Sequence, residues 1–382
     1  VKRSFILKKK IKNHLIETTL QHCHHGGIYS VNSQKNIRID FSSNINPLGI
    51  SKKVFEKLRK NIKLAYIYPD PKCTELKKKI IEYIDCEFDL DLNENLITGN
   101  GATELIHYFA AAFVRKKTLI PTPTFCEYEL AAKRRKSKLV FVPPLDNNFQ
   151  IDSDSIAKLT NNPDNEIGSV FLCNPNNPTG KFFRKEIREI LEKIDKKIPI
   201  LLDESYIEFT DTKKENDNNY FINLIKDSNN LVILRSLTKT FGLAGLRVGY
   251  ALSTKKNIEK LNNNLISWNV NGLAQIAAIE ALKDKSHIKA ARKNNFSEKK
   301  RVFKFLEKNR KIRAISSDVN FYLIEILNEK TSTELTSKLL IKNGILVRDC
   351  KSFIGMNDKF IRVAIKTPKE NNVLLDSLEG AL

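Results

Sequence analysis

Lys239 sits in the run Ser236-Leu237-Thr238-Lys239-Thr240-Phe241-Gly242-Leu243-Ala244-Gly245-Leu246-Arg247, which sets one lysine among hydroxyls, glycines and an arginine. A lysine held near apolar and cationic neighbours loses part of its preference for the charged form, so its amine can form a Schiff base near neutral pH. Ser236, Thr238 and Arg247 supply donors for a dianionic phosphate beside it. The preceding Leu231-Val232-Ile233-Leu234 reads as a buried strand, which puts Lys239 past a strand's carboxyl end, in the crevice where open α/β sheets bind ligands. A lone lysine in a chain with 65 Lys+Arg is ordinarily solvated, so its companions decide.

Three other segments have the same character. Thr98-Gly99-Asn100-Gly101-Ala102-Thr103 precedes the helical run Leu105 to Phe113; a helix amino terminus offers free N–H groups and partial positive charge, so the backbone of Gly101, Ala102 and Thr103 suits a phosphate. In Asn174-Pro175-Asn176-Asn177-Pro178-Thr179-Gly180, two prolines restrict the backbone and let Asn177 present its amide to a ring oxygen. Asp203-Glu204-Ser205-Tyr206 follows Ile200-Leu201-Leu202; a carboxylate there would keep a pyridine nitrogen protonated, with Tyr206 on the ring hydroxyl.

Positioning these groups takes a sheet. From about residue 95 to 255, the apolar runs Ile167 to Cys173, Ile198 to Leu202, Leu231 to Leu234 and Val248 to Leu252 alternate with helical patterns such as Arg184 to Ile194. That alternation predicts an α/β fold with a mostly parallel mixed sheet between helices. Residues 256 to 310 read as helical. Phe321 to Ile326, Ile345 to Val347 and Phe360 to Ile365 then supply strands of a smaller α/β domain, with helices from Thr333 to Asn343 and from Lys369 onward. The expected division is an amino-terminal extension and arm over 1–45, a large domain over 46–255 and a small carboxy-terminal domain over 256–382.

With 382 residues and 41% hydrophobic content the chain can bury more than one core. Its net charge of +21 could attract nucleic acid, an anionic membrane surface or phosphorylated small molecules, yet the basic clusters Lys8 to Lys12, Lys133 to Lys138 and Lys299 to Arg313 have few interleaved aromatics, which argues against a specific nucleic-acid partner. Six cysteines without a CxxC pair fit reduced thiols in a cytoplasmic protein. His22-Cys23-His24-His25 has no second cluster to complete four ligands, so no metal is expected. No apolar run reaches the ~20 residues of a membrane span. Asp211 to Asn219 reads as a surface loop, and the basic first 20 residues carry no assigned role.

Taken in order, Gly99 to Ile106, Asn174 to Gly180, Asp203 to Phe209 and Ser236 to Tyr250 resemble segments of fold-type I pyridoxal-phosphate enzymes, and most closely the histidinol-phosphate aminotransferase group, from about residue 25 to the end. The resemblance implies the fold-type I transferase fold and pyridoxal 5'-phosphate as cofactor. It implies Lys239 as catalytic residue and attachment point, Asp203 at the pyridine nitrogen, and Asn177 and Tyr206 at the ring oxygen. Gly101, Ala102, Thr103, Ser236, Thr238 and Arg247 would hold the phosphate, and Phe125 falls where the family stacks an aromatic ring on the cofactor. Tyr68, in Tyr68-Pro69-Asp70-Pro71, matches a tyrosine that reaches the phosphate of the neighbouring subunit, which implies a homodimer.

Within that group, His25-Gly26-Gly27, Asp40 to Gly49, Val347-Arg348-Asp349-Cys350 and Ile361 to Pro368 are similar to the L-threonine-O-3-phosphate decarboxylases of cobalamin biosynthesis. That subgroup implies decarboxylation of L-threonine O-3-phosphate to (R)-1-amino-2-propanol O-2-phosphate, with His25, Asn44, Asn177, Arg348 and Arg362 at the substrate. Two arginines suit its carboxylate and phosphate. Ser267 departs from the family's Pro-Trp-x-Val-Asn pattern, and Ile28 stands where asparagine is frequent. The alternative is histidinol-phosphate aminotransferase, in histidine biosynthesis; the Cα bond aligned perpendicular to the cofactor ring decides between the reactions. A remoter alternative is a cofactor-binding transcription regulator. It would carry an amino-terminal helix-turn-helix domain of ~60 residues, against the 24 residues that precede His25 here.

Overall fold

Successive side chains of a strand point to opposite faces of a sheet, and in this chain both faces are apolar. The computed structural model describes residues 25–31, 37–84, 86, 90–210 and 219–382. The first 20 residues, Cys23 and the Asp211–Asn219 loop up to residue 218 lie outside them. In chain order the strands are β1 (Ile39–Asp40), β2 (Leu96–Gly99), β3 (Lys117–Pro121), β4 (Lys138–Val142), β5 (Ile167–Cys173), β6 (Ile200–Asp203) and β7 (Leu231–Ser236). β8 (Gly249–Leu252), β9 (Ile312–Ile315), β10 (Phe321–Ile326), β11 (Ile345–Leu346), β12 (Arg348–Asp349) and β13 (Phe360–Ala364) follow.

The central sheet has the order β2-β8-β7-β6-β5-β3-β4. The strands from β7 to β4 pair in parallel, and β8 runs antiparallel to both its neighbours. Leu202, Leu231 and Ile233 enter one core, under the helices Lys52–Lys60, Thr74–Ile84, Arg184–Lys193 and Gly272–Lys283. Their neighbours Leu201, Val232 and Leu234 enter the other, under Gly101–Phe113 and Glu127–Arg134. This is the predicted mostly parallel mixed sheet sandwiched by helices. β6 starts at Ile200 rather than Ile198, since Pro199 has no N–H to give a ladder.

The second sheet, β12-β13-β10-β9, is antiparallel and packs with the helices Lys285–Leu306, Ser332–Asn343 and Pro368–Ala381 around a separate core. β1 pairs in parallel with β11, and Phe41 donates its N–H to Leu346 O (2.7 Å) while its carbonyl accepts from Ala364 N–H (2.9 Å). Residues 39–42 are thereby stitched to the second lobe. They deliver Ser42, Ser43 and Asn44 to the space between the lobes.

No helix among the described residues is long and apolar enough to cross a membrane. Among the described residues, Cys73, Cys86, Cys173 and Cys350 stand outside any disulfide.

Candidate active site

β2, β5, β6 and β7 all end at one edge of the sheet, because β2 and β7 each run antiparallel to β8. There Cys173 lies opposite Asp203, and Gly249 lies opposite both Gly99 and Ser236. Above this edge is a cavity of about 340 Å3. His25, Asn44, Ala102, Thr103, Phe125, Asn177, Asp203, Tyr206, Ser236, Thr238, Lys239, Arg247, Arg348 and Arg362 line it. Two of the residues singled out in the sequence do not. Gly101 stands behind Arg247, and Tyr68 is 80% exposed with its ring 4.9 Å from that of Trp268.

Lys239 follows β7 in a loop that other elements hold. Its carbonyl accepts from Asn46 N–H (3.1 Å) and Gly242 N–H (3.2 Å), and Asn46 Nδ2 donates to Thr240 O (2.8 Å). With the backbone fixed on both sides, the ammonium group lies 5.8 Å from the centre of the Tyr206 ring. Nearby, the Ser236 and Thr238 hydroxyls are buried 2.7 Å apart. They share this corner with the amino terminus of the helix Gly101–Phe113, whose Asn100 side chain makes no cap bond.

Gly101 has φ +74, and a Cβ there would stand 2.5 Å from Arg247 Nη2. Only glycine allows both that backbone and the guanidinium's approach. The result is a concave corner of N–H groups, hydroxyls and one guanidinium, which fits a phosphate.

At the far side Asp203 is buried, and burial raises its pKa; hydrogen bonds from Ser205 and Tyr128 oppose the rise. Ser205 N–H donates at 2.8 Å and Tyr128 Oη at 2.7 Å. The fully buried Tyr128 stacks on Phe171 and meets Phe125 edge-on, which fixes its hydroxyl. Asn177 is held by its loop: Thr124 Oγ1 donates to Asn176 Oδ1 (2.9 Å), and Asn176 Nδ2 to Pro123 O (2.9 Å).

From the second lobe, buried Arg362 donates to Asn177 Oδ1 and to Ser42 O (2.7 Å), with its guanidinium 5.4 Å from the Phe321 ring. Arg348 donates to Ser352 Oγ (2.8 Å) and lies over Phe353. Burial lowers the pKa of both, and Arg362 adds to the effect at Arg348. Asn44 Nδ2 approaches Tyr206 Oη at 3.4 Å.

These residues fit pyridoxal 5'-phosphate. A phosphate cradle, a lysine and a buried carboxylate line one cavity, and Asn44 Oδ1 and Arg362 Nε, both on its lining residues, are buried without partners. Ala102, Thr103, Ser236, Thr238 and Arg247 would hold the phosphate, and Asp203 the ring nitrogen.

The sequence did not single out Tyr128, Asn46, Ser42 or Glu127. Glu127 and Tyr128 lie two and three residues beyond Phe125, and Ser42 and Asn46 lie within the Asp40 to Gly49 segment. Adjacency to motifs was the available signal.

The family profile "Aminotransferase class I and II" matches residues 36–378. A provisionally named threonine-phosphate decarboxylase of Caldanaerobacter subterraneus subsp. tengcongensis is 38% identical over 342 residues, 88% of this chain and 89% of that protein. The crystal structure of the histidinol-phosphate aminotransferase from Clostridium acetobutylicum is similar at TM-score 0.80 and 34% identity, covering 90% of this chain and 98% of that one. That of the L-threonine-O-3-phosphate decarboxylase from Porphyromonas gingivalis is similar at TM-score 0.77 and 25% identity, covering 90% and 98%. With this match and this site, the chain belongs to the aminotransferase class I and II family of pyridoxal-phosphate-dependent enzymes.

Proposed function

We propose that the protein decarboxylates L-threonine O-3-phosphate to (R)-1-amino-2-propanol O-2-phosphate, a precursor of the cobalamin nucleotide loop. The observation that carries this reading is the placement of two arginines, Arg348 and Arg362, on adjacent strands at one wall of the lysine-bearing cavity. L-threonine O-3-phosphate, with a carboxylate and a phosphate, satisfies both at once, whereas histidinol phosphate carries one anionic group and leaves the second arginine to the carboxylate of a keto-acid acceptor.

Arg362, oriented by Asn177 and Ser42, takes the carboxylate, and Arg348 with His25 takes the phosphate. The bound cofactor supplies the electron sink for the bond broken at Cα. Lys239 Nζ delivers the proton to Cα after carbon dioxide leaves, and Asp203 holds its charge against the ring nitrogen. Phe125 covers the ring face.

The aminotransferase reading is favoured by the similarity to the Clostridium enzyme at 34% identity. Carbon dioxide release from threonine phosphate without a keto-acid acceptor separates the two.

We read the enzyme as a cytoplasmic homodimer. Tyr66, Ile67, Tyr68, Ile266 and Trp268 are exposed, and apolar exposure of this kind supports a second copy docking there, with Tyr68 reaching the neighbouring phosphate. Cys73, Cys86, Cys173 and Cys350, all outside any disulfide, support a reducing compartment.

A further inference from the structure

Glu127 is a buried carboxylate on the wall of the cavity, and no part of the reaction described above uses it. It is the first residue of the helix Glu127–Arg134 and bridges two imidazoles. Its Oε1 lies 3.0 Å from His25 Nε2, and its Oε2 lies 3.2 Å from His107 Nε2. His107 belongs to the helix Gly101–Phe113, one turn beyond the phosphate corner. Hydrogen bonds from His107 and His25 hold the Glu127 carboxyl down to about 2, so it is ionised and can only accept. His25 therefore donates its Nε2–H, and His107 does so in its Nε2–H tautomer, with Arg134 Nη1 a longer 3.4 Å from the same nitrogen. Among the described residues no group of three or more His/Cys/Asp/Glu could hold a metal, and the contacts of this cluster are hydrogen bonds.

His25 has a second tether two residues along. Gly27 N–H donates to Ser42 Oγ (2.7 Å), and that hydroxyl donates to Asp40 Oδ1. Gly26 passes so close to this anchor that a Cβ would stand 2.4 Å from Ser42 O, the carbonyl that Arg362 uses. The segment is thus fixed to the second lobe through Ser42 and to the first through Glu127. His25 and Arg348 both line the main cavity and both line a neighbouring one of about 550 Å3, so they stand together at the boundary between the two.

We propose that Glu127 is a positioning residue that sets the enzyme's preference for phosphorylated substrates, by fixing His25 beside Arg348 where the substrate phosphate binds. The inference rests on a phosphorylated amine as substrate. Glu127 acts through His25, and His107 keeps its carboxylate ionised and aimed.

The test compares holoenzyme variants on two matched pairs: threonine phosphate with threonine, and histidinol phosphate with histidinol. For the pair the wild type processes, Glu127→Gln should cut the kcat/KM preference for the phosphorylated member about tenfold, through KM, with kcat and cofactor absorbance little changed. Glu127→Asp should recover part of it. His25 is half exposed, so His25→Ala tolerates truncation, and Glu127→Gln added to it should cost nothing further. A preference unchanged in Glu127→Gln, an equal loss on both members, or additive losses in the double variant overturns the inference. A wild type that turns over phosphorylated substrates and shows one of these outcomes leaves the functional reading intact. A wild type inert toward both pairs overturns that reading and this inference with it.

Discussion

Arg348 and Arg362 are directly opposed residues of the antiparallel pair β12 and β13, so two guanidinium-bearing side chains leave the same face of the sheet side by side. Like charges in that relationship destabilise a sheet, and Arg348 feels Arg362 as a lowering of its pKa. A bound dianion removes the penalty. Arg348→Gln should raise the thermal midpoint of the ligand-free enzyme by about 1 °C while raising KM for threonine phosphate about tenfold. Arg362→Lys loses the fork that spans Asn177 and Ser42 and should cut kcat/KM about a hundredfold. Steady-state kinetics and a melting curve read both; an Arg348→Gln enzyme that is less stable and binds substrate normally would contradict this account.

Tyr128 should set the acid limb of the pH profile. Burial pushes the Asp203 carboxyl up, and the Tyr128 hydroxyl at 2.7 Å pulls it back down. Tyr128→Phe removes that bond, so Asp203 titrates at higher pH and its ionised form, which would hold the ring nitrogen protonated, is lost sooner on acidification. The acid limb of kcat should move to higher pH, with kcat several-fold lower near neutrality. A profile that stays in place would exclude a role for this bond.

Gly101→Ala tests the phosphate corner. The new Cβ meets the far end of the Arg247 side chain, which can yield, at a position whose φ of +74 costs alanine about 1 kcal/mol. The protein should fold and bind pyridoxal phosphate at least tenfold more weakly, because Arg247 is displaced. Equilibrium dialysis measures it, and wild-type cofactor affinity would show that Arg247 does not hold the phosphate.

The four motif segments were legible because their chemistry is written in contiguous residues, and each was placed at one sheet edge by strands whose apolar runs stand out. What could not be read was what crosses the chain. Tyr128 reaches Asp203 across 75 positions, and Ser42 meets Arg362 across 320. Apart from its place three residues after Phe125, nothing local to Tyr128 distinguishes it from a core tyrosine, and Ser42 acts through a backbone carbonyl that any residue would offer. The opposition of Arg348 and Arg362 depends on a strand register that periodicity alone leaves open.

A second hidden pair supports the strand ends. Arg235, just before Ser236, binds Glu204, just after Asp203, at 2.9 Å with both side chains buried, and it also donates to Asn219 Oδ1 (3.0 Å). Removing one member leaves an uncompensated buried charge, so Arg235→Met should destabilise the fold by about 3–5 kcal/mol. Chemical denaturation measures this, and a loss below about 1 kcal/mol would mean that the pair is weakly coupled to folding.

The central claim is the bond that breaks at Cα. Purified holoenzyme incubated with carboxyl-labelled L-threonine O-3-phosphate, without any keto acid, should release labelled carbon dioxide in step with substrate loss and leave 1-amino-2-propanol phosphate. Retention of the label, together with turnover of histidinol phosphate only when a keto-acid acceptor is present, would contradict it.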